Sequence, residues 1–353
     1  MCCLTIILLL KVRDVAAQQE QYFEEPAKPR FSFQWDFLAR YDRIDHLVFR
    51  EEVERGRFEL RPEVDFDPSD RFRIGARGVF DYGTEEDYEN YINFDNYRSR
   101  GSMLERYYIL ARPGTFAIRA GAFGMPLAAS EMLWDRDIQT LGAAVAWERL
   151  GGALTLAAAG FYGPQRNHDH SRIGVGQAIW RTGDENRLQL EAAASYWGFD
   201  MRNLDPGFIR QNTLRMVDGE AELASKFHVG DLLLRLRFSV GTLPALVSLD
   251  GIRNFEGASG KKSAFEGVLA VGRLGTPGHW RVFYAYQYVE RDALVGAYNT
   301  DDWWFHTWYE GHRAGVAVTI LPQVYVQFAG TLQRRLDRPN WLNRYTLDLV
   351  KMF

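Results

Sequence analysis

Arg57-Phe-Glu-Leu-Arg61-Pro-Glu-Val-Asp65-Phe-Asp-Pro-Ser-Asp70-Arg-Phe-Arg73-Ile-Gly-Ala-Arg77-Gly-Val-Phe80-Asp81 is the stretch that decides the fold. Phe58, Leu60, Pro62, Val64 and Phe66 alternate with Arg57, Glu59, Arg61, Glu63 and Asp65. Beyond the turn at 67–70, Phe72, Ile74, Ala76, Gly78 and Phe80 alternate with Arg71, Arg73, Gly75, Arg77, Val79 and Asp81. Successive side chains of an extended backbone point to opposite faces, so period two marks a strand with unlike sides. Two such runs joined by a tight Pro-Ser turn read as an antiparallel hairpin. One of its faces is apolar and the other is dominated by charge.

Working outward, the same alternation recurs along the chain. Phe31, Phe33, Trp35, Phe37, Ala39 and Tyr41 form one face of 30–42. Further candidate strands fall at 104–112, 115–123, 142–149, 152–162, 172–181, 187–197, 217–227, 231–240, 263–273, 279–289, 310–320, 324–333 and 343–353. The alanine-rich runs 142–149 and 152–162 alternate least and could pass for helix. Connections alternate in length: short ones at 67–70, 112–115, 149–152, 182–186, 228–231, 274–278 and 321–323 are separated by long ones, including 124–141, 241–262 and 290–309. The expected fold is all-β, a transmembrane antiparallel up-and-down barrel of about 16 strands spanning 30–353, with short periplasmic turns and long extracellular loops.

A soluble sandwich would show the same periodicity, so other features must decide which way the apolar face points. A hairpin-by-hairpin meander can close on itself and leave no edge. Aromatic residues cluster near strand ends (Trp35, Tyr41, Phe58, Phe66, Phe80, Tyr196, Trp280, Tyr288), where interfacial girdles belong. The closing strand Tyr345-Thr-Leu347-Asp-Leu349-Val-Lys351-Met-Phe353 resembles the signal by which bacterial outer-membrane barrels are recognised for insertion. The expected partners are therefore the barrel-insertion machinery, acting through Phe353, and outer-membrane lipid and lipopolysaccharide. Lys351 interrupts the apolar face, but near an interface a lysine can snorkel.

Composition agrees with this. Hydrophobic residues make up 46% and aromatics 14%, yet mean hydropathy is -0.29. No apolar run beyond the first dozen residues reaches the ~18 needed for a spanning helix. A helical membrane protein and a disordered chain are both excluded, and a net charge of -4 gives no reason to expect nucleic acid. The apolar Leu4–Leu10 run and the small residues Val15-Ala16-Ala17 read as a secretory leader over 1–17, followed by a periplasmic segment over 18–29. Cleavage would remove Cys2 and Cys3, so thiol chemistry is not expected of the exported protein.

Side chains cannot fill a barrel of this size, so its polar face would line water. The pore-lining candidates are Arg57, Glu59, Arg61, Glu63, Arg71, Arg73, Arg77, Arg119, Arg235, Arg237 and Arg281. Acids nearly balance the arginines over the whole wall, and the plainer alternative is that these charges pair across strands and stiffen it. The third long connection mixes apolar anchors with Glu131, Asp135, Arg136 and Asp137, which suits a loop folded inward as a constriction. The alternative is a surface loop whose aspartates cap turns. The acidic second loop, Glu85 to Asp95, could bind cations or stay solvated.

No enzyme, metal or cofactor is expected. The histidines have no convincing serine partner, and His168-Asp169-His170 offers a metal only a loop with three polar residues. Gly174-Val-Gly176 lacks the third glycine of a dinucleotide site, and Gly260-Lys-Lys-Ser263 fails the phosphate-loop spacing.

Gly121, Pro126, Trp134-Asp135-Arg136-Asp137 and Gly142 resemble the G...P...WD-x-D...G stretch of the "putative porin" family of Gram-negative outer-membrane proteins. A second resemblance runs through Trp280-Arg-Val-Phe-Tyr284-Ala-Tyr286, Glu290-Arg-Asp292-Ala293, Asp301-Asp302, Gly311 and the closing Leu347-Asp-Leu349. It implies a passive outer-membrane channel and names no solute. The expected function is thus a porin for small hydrophilic solutes or ions, with a homotrimer as a possible assembly. The competing expectation is a closed or loop-plugged barrel serving as an adhesin or structural anchor.

Overall fold

Each run of alternating residues pairs with the next until the last meets the first. A computed structural model describes residues 30–46, 52–84, 101–163, 171–184, 187–201, 209 and 211–352. The wall consists of β1 (Phe31–Asp45), β2 (Glu52–Ser69), β3 (Phe72–Gly83), β4 (Gly101–Ala111), β5 (Phe116–Gly124), β6 (Gln139–Arg149), β7 (Leu154–Tyr162), β8 (Arg172–Asp184) and β9 (Leu188–Asp200). It continues after a small separate hairpin, β10 (Leu214–Val217) and β11 (Glu220–Leu223). The remaining strands are β12 (Phe227–Val240), β13 (Leu243–Asn254), β14 (Ser263–Gly272), β15 (Trp280–Val289), β16 (Tyr309–Leu321), β17 (Val324–Arg335) and β18 (Leu342–Lys351). These 16 wall strands form one closed antiparallel barrel in which β18 pairs with β1. The leader over 1–17, the segment 18–29, the acidic stretch Glu85–Asp95, His168-Asp169-His170 and Phe353 lie outside the described residues.

The expected strand number is right, but one expected strand is wrong. Residues 217–227 are not a wall strand; part of this run belongs to the β10–β11 hairpin. The wall strand is instead 243–254, within the expected long connection 241–262, and it joins β12 through a two-residue turn at Gly241 (φ 62°) and Thr242. Its alternation is masked because apolar Leu246 and Ile252 face inward while Gly251 and Arg253 face outward. The alanine-rich runs expected to be ambiguous are β6 and β7.

The apolar face looks outward over the whole wall. Phe33, Ile74, Ile109, Leu234, Leu269 and Phe328 are each 38–61% exposed, whereas their neighbours Arg73, Leu110, Arg235, Ala270 and Gln327 turn inward and are buried or half-buried. An apolar surface this continuous is far larger than soluble monomers tolerate and fits lipid. Aromatics gather at both rims. Trp35, Phe116, Trp147 and Trp280 lie towards the short-turn end, and Tyr41, Tyr82, Tyr162, Tyr196 and Tyr288 towards the long-loop end. Lys351 sits 3.6 Å from the centre of the Trp35 ring and donates to the Trp35 carbonyl at 2.8 Å, which keeps its charge at the rim.

Two glycines of the resembling stretch have physical reasons. A Cβ on Gly121, which has φ 125°, would lie 2.2 Å from the Tyr107 carbonyl oxygen, and one on Gly142 would lie 2.2 Å from that of Gly160. Both positions let neighbouring backbones approach closely.

Orientation of the wall is testable at Phe328, which is 49% exposed beside the inward-facing Gln327. Phe328→Arg is expected to destabilise the barrel by about 2–4 kcal/mol in a bilayer. Urea unfolding in lipid vesicles would measure the loss, and an unchanged midpoint would mean that this face does not meet lipid.

Candidate functional site

The inner face of the first hairpin bears four of the nine arginines proposed as pore-lining. Arg57, Glu59, Arg61 and Glu63 of β2 and Arg73 and Arg77 of β3 all point inward, and the acids there lie within reach of guanidinium groups. Arg57 and Arg61 each pair with Glu59. Arg73 forms two hydrogen bonds with Asp67, at 2.7 and 3.0 Å, and reaches Asp65 at 3.4 Å. Arg71 instead occupies the tight turn after β2 and is exposed, because the turn is confined to residues 70–71 rather than the expected 67–70.

Arg119 is buried on β5, with its guanidinium 4.8 Å from the Tyr108 ring centre. Arg235 is buried and reaches Glu191 at 3.1 Å, while half-buried Arg237 lies 3.1 Å from Gln189 and 3.8 Å from Glu191. Arg281 is half-buried on the inner face of β15. Period two cannot find one further pair. A register shift between β3 and β4 turns both Glu105 and Arg106 inward, where Glu105 meets Arg77 at 2.8 Å and Arg106 meets Glu63 at 3.4 Å.

The connection 125–138 between β5 and β6 lies inside the barrel. Ala128 packs with the inward residues Ile179, Ala193 and Leu233. Its N–H donates to Gln177 at 2.8 Å and its carbonyl accepts from the same amide at 2.5 Å. Arg235 donates to the Ala129 carbonyl at 2.9 Å, and Ser130 donates to Asp250. On the opposite side Asp137 reaches Arg61 of β2 at 3.3 Å, so the connection bridges facing walls.

A second connection, 290–308 between β15 and β16, also lies inside, which the sequence reading missed. Trp134 is fully buried and stacks on Tyr298 with centroids 4.8 Å apart. The Asp135 N–H donates to the Tyr298 carbonyl at 2.7 Å, and the Thr300 N–H donates to that of Glu131 at 3.0 Å. Asp301 reaches Arg57 at 2.8 Å, while Asp302 reaches Arg313 at 2.9 Å and Arg40 at 3.1 Å. Gln211 and Asn212 hold this connection from the side through Thr307 and the carbonyls of Arg291 and Leu294. A signal was present in the apolar runs Ala293-Leu-Val295 and Trp303-Trp-Phe305, which an exposed loop has little reason to carry.

The four constriction candidates separate into two roles. Asp135 is 3% exposed and accepts the N–H groups of Asp137 and Asp301, at 2.9 and 3.2 Å, so it braces the two connections against each other. Glu131, Arg136 and Asp137 keep 35, 49 and 27% of their side-chain areas accessible, although they belong to a segment inside the wall. Enclosure within the wall opposes the charge on Asp137, but Arg61 and Arg136 outweigh it and hold its carboxyl below the usual range. For Glu131 the partial loss of surrounding water inside the wall outweighs Arg136, 3.6 Å away, and pushes the carboxyl up.

Residues 209–349 match the family model described as "Putative porin". This range contains the second resembling set, from Trp280 to Leu349, and excludes the first, around Trp134. No curated protein matches the chain. Among solved structures the barrel is similar to Pseudomonas putida OprB, at 11% identity over 92% of this chain and 94% of that one, with a TM-score of 0.65. It is also similar to a mutant of the Rh. blastica porin, at 10% identity over 90% of this chain and 100% of that one, with a TM-score of 0.50. At these identities the likeness is one of fold: a porin-like β-barrel of the membrane type.

Proposed function

We propose that the protein is an outer-membrane porin, a passive diffusion channel for small hydrophilic solutes or ions whose bore is set by connection 125–138, backed by 290–308. The observation that carries this reading is the accessibility of Glu131, Arg136 and Asp137 within a closed wall that is apolar outside. Charges held among wall arginines and acids order water and disfavour apolar solutes. In this reading the leader over 1–17 directs export from a Gram-negative cytoplasm, and the closing strand ending in Phe353 engages the insertion machinery. Lipopolysaccharide meets the long-loop rim, and a trimer is the assembly to test.

The second reading, a plugged barrel acting as an adhesin or anchor, draws its support from the apolar packing of Trp134, Tyr298 and Trp303 inside the wall. Planar-bilayer recording of the refolded protein decides between them. Stepwise conductance supports the channel, whereas insertion without conductance supports the plug.

A salt-gradient reversal potential should also depend on pH. Glu131 has a raised pKa, so on acidification it takes up a proton at a higher pH than ordinary glutamate, near ~4.3, while Asp137 stays charged. The accessible trio loses one negative charge, and selectivity shifts toward anions. Glu131→Gln should remove that shift; its persistence would place the titrating group elsewhere.

A further inference from the structure

Asp231 of β12 and Asp250 of β13 sit on the inner wall, 5% and 1% exposed, as diagonal neighbours: Asp231 pairs with Ile252 and Asp250 with Leu233. Diagonal neighbours on one face of a ladder can bring two carboxyl groups together, and two acids that meet there need a proton on one of them. Oδ1 of each has no other donor. The two Oδ2 atoms lead to the same connection by different routes. Asp250 accepts from Ser130, which lies on 125–138. Asp231 accepts from Ser195 at 2.6 Å; Ser195 accepts the Trp197 indole N–H at 2.7 Å, and Trp197 stacks on Trp134 with centroids 5.8 Å apart.

The charges facing this pair offer no spare cation. Arg235 of β12 is engaged by Glu191 of β9 at 3.1 Å and by the Ala129 carbonyl, and Glu191 also draws in Arg181 and Arg237. Glu266 of β14 lies across the ladder from Asp250 and accepts from Gln287, which itself accepts from Tyr309. Glu131 adds another acid from the connection. Two ionised carboxylates in contact here would repel with little to compensate, as in other carboxylate dyads.

We propose that the Asp231–Asp250 pair, sharing one proton, is the positioning element that seats connection 125–138, and that loss of this proton releases the connection and loosens the bore. The inference rests on the porin reading for its consequence but not for its structural test.

A spin label on R136C, in a full chain carrying C2S and C3S, reports motion of the connection, while bilayer current reports the bore. As buffer moves from neutral to alkaline, label mobility and current noise are both expected to rise. Asp250→Asn keeps an acceptor for Ser130 and offers an N–H to Asp231, so it should abolish both rises; Asp231→Asn provides the same test if the first variant folds poorly. This alkaline response is separate from the acid-side titration of Glu131. An unresponsive label in the otherwise unmodified pair, an asparagine variant that responds like it, or a response governed by a calcium chelator would overturn the shared-proton seat. Rising label mobility in a barrel that never conducts would retain the seat and overturn the channel reading.

Discussion

Trp134→Ala is expected to remove about 3–5 kcal/mol from the packing that holds connection 125–138, the range for truncating a large buried aromatic. The indole is fully buried and meets Tyr298, Trp197 and Phe161 with centroids 4.8, 5.8 and 6.4 Å away. These contacts join the two inward connections to each other and to β7 and β9. Alanine leaves a cavity where the segments converge, and the connection can detach without unfolding the wall. The loss should therefore appear first as faster amide exchange over 125–138, accompanied by higher and noisier conductance. Trp147→Ala is the control, since Trp147 is an outward residue of β6 that packs on Phe116 at the rim. Unchanged exchange and conductance in Trp134→Ala would mean that this connection does not set the bore.

Arg344→Met should cost about 3–5 kcal/mol of barrel stability, because it leaves a buried acid with too little compensation. Arg344 is 1% exposed and donates to both oxygens of Asp42 at 2.9 Å, with a further hydrogen bond to the Asp301 carbonyl. Asp42 retains Arg55 at 2.8 Å, but one guanidinium cannot replace the paired geometry of two. The contact crosses the β1–β18 seam that closes the barrel and also tethers connection 290–308. Urea midpoints of the refolded protein would give the effect. Adding Asp42→Leu should recover part of it by removing the stranded charge, whereas additive losses would argue against coupling between the two residues.

Much of the wall is legible in the sequence because alternation is a local property of an extended strand. Phe58 to Phe66 against Arg57 to Asp65 identifies the strand and separates its two faces without knowledge of its partners, while the meander, the aromatic strand ends and the closing strand say which face looks inward. That logic fails where inward and outward residues do not contrast. β13 was lost because Leu246 and Ile252 are inward and apolar, and Glu105 because a register shift turns two successive residues the same way. The apolar anchors and charges of 124–141 suit an inward loop or a surface one, and give no sign that Asp135 braces while Arg136 and Asp137 stay accessible. Those roles depend on partners 166 residues away, as in the Asp301 N–H bond to Asp135.

By itself, then, the sequence determined a closed antiparallel wall with lipid outside and charge inside, since side-chain period and turn spacing are set residue by residue. Only the tertiary structure decided what occupies the interior: Trp134 on Tyr298, Asp301 on Arg57, and Ser130 on an acid pair whose members come from two strands. Such contacts join segments that the chain keeps far apart, and each arises from complementary shape and charge that no single segment displays alone.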